Sequence, residues 1–209
     1  MTEIVGVILA GGKSTRMGGG DKCLALLAGQ TLLSRAIARA RPQVHELLLN
    51  ANGDPARFAG AKLPLLPDVI ENYAGPLAGI LTALEWARDA RPSCTHVVSF
   101  ASDTPFFPMD LVAHLIRAAK EKQLPLACAA SGGRAHPVFG LWPVALADDL
   151  RHAMMRENMR KMDAWTARHG VALAEYPVTT IDPFFNINHP EDFAQAAQLA
   201  SIPDKEFEV

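Results

Sequence analysis

The chain has 209 residues, 49% of them hydrophobic, with 22 acidic and 20 basic side chains and a formal net charge of −2. That hydrophobic share supports a sizeable core and excludes a disordered body, and the near-neutral balance excludes a general nucleic-acid or membrane binder. Cys23, Cys94 and Cys128 are odd in number and form no CxxC pair, which predicts free thiols in a reducing compartment; with no leader pattern and no membrane-length apolar stretch, a cytoplasmic protein is expected.

In chain order, the apolar run Ile4-Val5-Gly6-Val7-Ile8 predicts a buried strand over about residues 4–9. The stretch from Leu9 to Lys22, LAGGKSTRMGGGDK, follows at once, with Gly11, Gly12, Gly18, Gly19 and Gly20 interleaved with Lys13, Arg16 and Lys22. Glycine lets backbone N–H groups approach an anion unobstructed, and Lys and Arg add charge and donors. A glycine-rich basic loop leaving a buried strand is suited to a triphosphate. Cys23 to Leu27 is a short apolar segment, and Ala28-Gly29-Gln30 turns the chain.

Thr31 is placed to cap a helix to about Arg41, which Pro42 stops. Glu46 to Leu49 predicts a buried strand running into the polar Asn50, and the prolines in Leu63 to Asp68 deny that extended piece a central position. Gly75-Pro76 opens a helix that ends at Arg91-Pro92, and about residues 96–101 form a core strand followed by Ser102-Asp103-Thr104. Pro108 is expected to open the next helix, with Leu111, Val112, Leu115 and Ile116 inward. Strands at Leu126 to Ala130 and Pro137 to Leu141 are joined by the turn Ser131 to Arg134. Helices fit about residues 144–157 and 160–169, a strand fits Val171 to Tyr176, and a last helix starts near Glu191, before a tail expected to fray after Ile202.

Strands alternating with helices, with no linker or repeat between them, predict one α/β domain over residues 1–209: a mostly parallel sheet with helices on both faces. Ligands of such sheets bind at the carboxyl ends of the strands. The polar clusters at 10–22, 50–54, 68 and 102–104 all fall where a strand has just ended, which points to a ligand-binding enzyme.

Gly12-Lys13-Ser14 does not make an ATPase P-loop, because Val7 stands where the pattern needs its first glycine. Nor is this the dinucleotide fingerprint, since Asn50 replaces the acidic residue at the second strand end. Asp103, a strand-end carboxylate beside a phosphate loop, suits Mg²⁺; alone it would read as a cap of the following turn. Lys22 and Arg16 are candidates to neutralise charge on departing pyrophosphate, where surface cations are otherwise merely solvated. Asp68 can accept from guanine or from a ribose hydroxyl, or be a turn residue, and Asn50 has the same double reading. Arg134 and His136 fall in a hairpin near the expected second-substrate side. Asn186 and Asn188 are placed at a strand end lining the site. Arg160 and Lys161 read as a solvated helix face and His189-Pro190 as a helix start. No Ser/His/Asp pairing stands out.

These residues resemble a known family. The front motif is similar to the signature of nucleotidyltransferases with a glycosyltransferase-A-like fold. With N-A-N at 50–52, P-D at 67–68, G-P-L-A-G at 75–79, S-D-T-P at 102–105 and N-I-N-x-P-E-D at 186–192, the chain most resembles the molybdenum cofactor guanylyltransferase (MobA) family, from residue 4 to about 195. The resemblance implies a Rossmann-like fold, a Mg²⁺ requirement and transfer of GMP from GTP to molybdenum-bearing molybdopterin with release of pyrophosphate. It implies GTP contacts from Leu9, Ala10, Gly11, Lys22, Asn50, Asp68 and Asp103, with Asp103 also on the metal and Gly12 in the phosphate loop. It admits transient contact with molybdenum-cofactor enzymes or their chaperones. Rival readings are a cytidylyltransferase for the same pterin, a sugar-phosphate nucleotidyltransferase, and a non-catalytic nucleotide-binding regulator, against which the presence of Lys22 and Asp103 argues.

Overall fold

The computed structural model describes residues 3–11, 21–71, 75–179 and 181–200. Its strands and helices follow in the order β1 (Glu3–Leu9), β2 (Leu26–Leu27), β3 (Gln30–Thr31), α1 (Leu32–Ala40), β4 (Glu46–Asn50), β5 (Leu65–Leu66), α2 (Pro76–Ala90), β6 (Cys94–Ala101), α3 (Leu111–Lys122), β7 (Leu126–Ser131), β8 (Arg134–Pro143), α4 (Ala147–Arg156), α5 (Met162–His169), β9 (Val171–Tyr176) and α6 (Pro190–Leu199). Short 3-10 turns lie between several of them.

A seven-stranded sheet runs β5-β4-β1-β6-β8-β7-β9. Every neighbouring pair is parallel except those made by β8, which is antiparallel to both β6 and β7. β5 sits at the edge, where its flanking prolines cost no ladder bond. β2 and β3 form a separate small hairpin.

Alternation along β1 divides the core. Ile4 and Ile8 pack with α1 and α3 on one face, while Val5 and Val7 pack with α2, α4 and α5 on the other. Gly6 permits this packing, because a Cβ there would lie 2.9 Å from Leu47 Cδ1 and 3.1 Å from Phe100 Cε2. α2 is buried almost all round, from Leu77 to Leu84 and at Ala87. The Thr31 hydroxyl accepts from Ser34 N–H at 3.0 Å and caps α1 as its sequence predicts.

Some expectations need correction. α3 starts at Leu111, not Pro108, because Phe106 and Phe107 are first buried in the core (3% and 0% exposed). Ile116 is 39% exposed, so only Leu111, Val112 and Leu115 of that helix face inward as expected. β8 extends from Arg134 to Pro143, which delays the following α-helix to Ala147. The segment 185–188 is a loop, so Asn186 and Asn188 do not end a strand. The expected frayed tail lies outside the described residues.

The register decides where the polar clusters meet. Leu9 stands opposite Asn50 on one side and Ala101 on the other. Three strands therefore end level, and the residues after them emerge along one rim.

Candidate active site

Beyond the β1 end, Ala10 N–H donates to the Asn50 carbonyl at 2.9 Å, which fixes where the chain leaves the sheet. Gly12 and Arg16 lie outside the described residues. The Asp21 carboxylate accepts from Arg57 Nη1, at 2.8 and 2.7 Å. Arg57 also donates from Nη2 to the Asn52 carbonyl at 2.6 Å, so it ties Asp21 to the segment after β4. Lys22 then opens a 3-10 turn, held by Leu24 N–H on the Asp21 carbonyl at 2.9 Å and anchored by the buried Cys23.

The Lys22 ammonium is the centre of the site. Its Nζ donates to Asp103 Oδ2 at 2.8 Å, Asn188 Oδ1 at 2.8 Å and Asn186 Oδ1 at 3.4 Å. An ammonium has three donors, so these contacts account for all of them. Because lysine can only donate, both asparagines must present their oxygens. An arriving phosphate oxygen has to displace one acceptor, and the long contact to Asn186 is the cheapest to exchange. The Lys22 and Asp103 side chains are 17% and 25% exposed, so their attraction is only partly screened.

The asparagines are brought in from 164 and 166 positions away by a small separate core. Ile187 is fully buried against Leu27, Leu32, Phe106 and Ala196, and its N–H donates to the Asp103 carbonyl at 3.0 Å. The Asp192 carboxylate accepts from Asn188 and His189 N–H, each at 2.7 Å, and these bonds hold it below the usual carboxylate range. His189 caps α6 in a capping box, so its role is the helix start read from the sequence.

These groups border a cavity of about 630 Å³. Leu9, Ala10, Gly11, Lys22 and Asp103 line one side; Arg134 to Phe139 of β8, with Asp182, Phe184 and Phe185, line the other. Pro76, the first residue of α2, also reaches it, so the positive end of a fifteen-residue helix borders the cavity. Nothing in the sequence marks Asp182 or Phe184 as site features, whereas Gly75-Pro76 reads there as a helix start and opens the G-P-L-A-G motif.

Asn50 and Asp68 stand apart from this lining. Asn50 is 4% exposed. Its Nδ2 donates to the Leu66 carbonyl at 3.1 Å and to Asp68 Oδ1 at 2.9 Å. Asn52 Nδ2 donates to Asp68 Oδ2 at 2.8 Å, and Asp68 N–H returns a bond to Asn52 Oδ1 at 2.9 Å. Asn50 thus spends both amide protons on structure, while each Asp68 oxygen keeps accepting capacity. Gly79 makes room: a Cβ there would lie 2.2 Å from Asn50 Oδ1 and 2.7 Å from Leu9 Cδ2.

The chemistry on offer is charge stabilisation. Cys23 borders the cavity, but burial, then the charge of Asp21, pushes its thiol up to about 11, so it stays protonated and unreactive. Among the described residues no three His, Cys, Asp or Glu side chains gather as a metal cage. Asp103 Oδ1 accepts nothing from the described residues, so a hard cation here would use Asp103 and draw the rest of its shell from ligand and water. Arg160 Nε donates to Asn158 Oδ1 at 3.0 Å, and neither it nor Lys161 borders the cavity. No helix among the described residues is long and apolar enough to cross a membrane.

A family model described as the MobA-like NTP transferase domain matches residues 6–172. A molybdenum cofactor guanylyltransferase from Bradyrhizobium sp. (strain ORS 278) is 51% identical over 205 residues, covering 98% of this chain and 97% of the relative. One from Rhodopseudomonas palustris (strain BisB5) is 50% identical, over 93% of this chain and 92% of its own. Among solved structures, the molybdopterin-guanine dinucleotide biosynthesis protein A from Archaeoglobus fulgidus superposes with a TM-score of 0.73 at 22% identity, covering 94% of this chain and 98% of that one. That last likeness concerns the fold.

Proposed function

The chain belongs to the MobA-like NTP transferase family, and from that premise we propose that it transfers GMP from GTP to molybdenum-bearing molybdopterin, with pyrophosphate as the other product. The observation that carries this reading is Lys22: a cation just after a glycine-rich sequence, converging with Asp103, Asn186 and Asn188 on one cavity.

The nucleotide lies along Leu9, Ala10 and Gly11, with Gly12 and Arg16, outside the described residues, as further candidates for its phosphates. Asp68 accepts from the base or ribose, oriented by Asn50 and Asn52. The β8 wall, with Arg134 at its mouth, receives the pterin. A terminal phosphate oxygen of the pterin attacks the α-phosphorus in line; the new P–O bond forms as the bond to pyrophosphate breaks. No side chain forms a covalent intermediate. Lys22 moves from its asparagine acceptors onto the phosphates, where its charge counts most as negative charge shifts onto the leaving group. Asp103 would hold Mg²⁺, which would supply charge neutralisation to the phosphates. The asparagines released by Lys22 are free to accept from, or donate to, the second substrate.

A single cytoplasmic domain over residues 1–209, acting on small molecules with transient handover to molybdenum-cofactor enzymes or their chaperones, completes the proposal. The test is pyrophosphate release in Mg²⁺ with molybdopterin and each of GTP, CTP, ATP and UTP. Release with GTP alone is expected. Release with CTP alone would move the protein to cytidylyl transfer, and release with a sugar phosphate in place of the pterin would move it to another branch.

A further inference from the structure

Three side chains that the phosphate chemistry leaves unused meet at the far side of the cavity, which His136 and Asp182 line and beneath which Ser131 is buried. Ser131 ends β7, His136 lies early in β8, and Asp182 lies in the loop before α6. Ser131 Oγ is 2.7 Å from His136 Nε2 and 2.7 Å from Asp182 Oδ1. The sequence gives no sign of this meeting, because Asp182 is 51 positions from Ser131.

The protons can be assigned. A hydroxyl has one proton, and a carboxylate only accepts. Asp182 Oδ1 already takes Phe184 N–H at 2.8 Å, and the Ser131 proton goes to it as well. His136 Nε2 must then donate to Ser131 Oγ, which leaves the ring's lone pair on Nδ1. This order, with serine in the middle, is not that of a hydrolase, where histidine stands between serine and acid. Ser131 is also 1% exposed and its proton is committed, so it is no nucleophile.

The imidazole stays neutral. Burial lowers its pKa, outweighing Asp182, which raises it, while Arg134 lowers it further. Phe184 stacks on the ring at 4.7 Å and 25°, which fixes its plane. Nδ1 has no hydrogen-bond partner among the described residues, and His136 borders the cavity.

We propose that His136 determines specificity for the second substrate: its Nδ1 accepts a hydrogen bond from a ring N–H or amino group of that substrate. The inference rests on the guanylyl-transfer reading for the substrate's identity, a pterin being rich in such donors. Ser131 and Asp182 are positioning residues that hold the tautomer.

The test measures molybdopterin binding by calorimetry without nucleotide, and steady-state kinetics with GTP. His136→Gln keeps a donor for Ser131 but removes the Nδ1 acceptor; His136→Asn places an oxygen near Nδ1. The expected result is a roughly tenfold weaker Kd and higher KM for molybdopterin in His136→Gln, with the KM for GTP and kcat little changed and most of the loss recovered in His136→Asn. Ser131→Ala gives a smaller loss in the same parameter. Unchanged molybdopterin affinity in His136→Gln overturns the proposal, as does a joint rise of both KM values that asparagine fails to rescue. If the wild-type protein binds molybdopterin but releases no pyrophosphate from GTP, guanylyl transfer fails, while the calorimetric difference between the variants still decides the role of His136.

Discussion

Along the ends of β1 and β6 the cavity is charged, and its one described ammonium is shared among three oxygens that all come from other segments. Across from it, along β8, Arg134 is the charged exception beside a neutral histidine backed by Phe184, pinned by a serine that is itself pinned by an aspartate. The first wall holds its charge in exchangeable contacts, which suits a group that must follow moving negative charge. The second spends its bonds on fixing one donor and acceptor pattern, which suits discrimination. On the proposed reading one cavity separates turnover from recognition, and substitutions should divide the same way.

The largest effect should come from the charged wall. Asp103→Ala is expected to lower kcat by on the order of a thousandfold; near-normal turnover in saturating Mg²⁺ would remove its metal role. Lys22→Ala should cost on the order of a hundredfold in kcat with a smaller change in the KM for GTP. A pure affinity loss at full turnover would show that the ammonium only binds. Gly79→Ala probes the support behind Leu9 and Asn50: crowding these two side chains should cost about 1–3 kcal/mol of stability, measured by thermal unfolding, and raise the KM for GTP.

Arg57→Ala is subtler. The Arg57 side chain is 37% exposed, so its ion pair with Asp21 adds little to stability. Its loss should leave Tm nearly unchanged yet reduce kcat/KM for GTP by roughly two- to fivefold, through misplacement of Lys22. A fall in Tm without a kinetic effect would make Arg57 a structural brace only.

The smallest effect is on stability against pH. Burial holds the His136 pKa below its ordinary 6.5, so the folded state favours the neutral ring. That contribution is complete above about pH 6.5 and is lost as pH falls through the depressed folded value. Burial acts in the same direction on His96 and His114. Tm should therefore decline between pH 7 and pH 5, and less steeply in His136→Gln. Identical slopes in the two proteins would show that the histidine gains no charge in that window.

What the sequence determined by itself was local. The β-branched run before Leu9, Thr31 as a cap, the prolines beside β5 and the Gly75-Pro76 helix start act within a few residues, and each appears in the structure where its chemistry predicts. The strand-end rule also grouped the polar clusters at 10–22, 50–54, 68 and 102–104; Ala10, Gly11, Lys22 and Asp103 of these line one cavity, whereas Asn50 and Asp68 do not border it. Only the tertiary structure decided the rest. Parallel register brings Leu9, Asn50 and Ala101 level. The buried Ile187 carries Asn186 and Asn188 to Lys22. The β7–β8 hairpin turns His136 toward a serine whose other partner lies in a distant loop. Such contacts follow from how whole faces pack, and a side chain's spacing along the chain carries no record of the partner it will meet across a sheet.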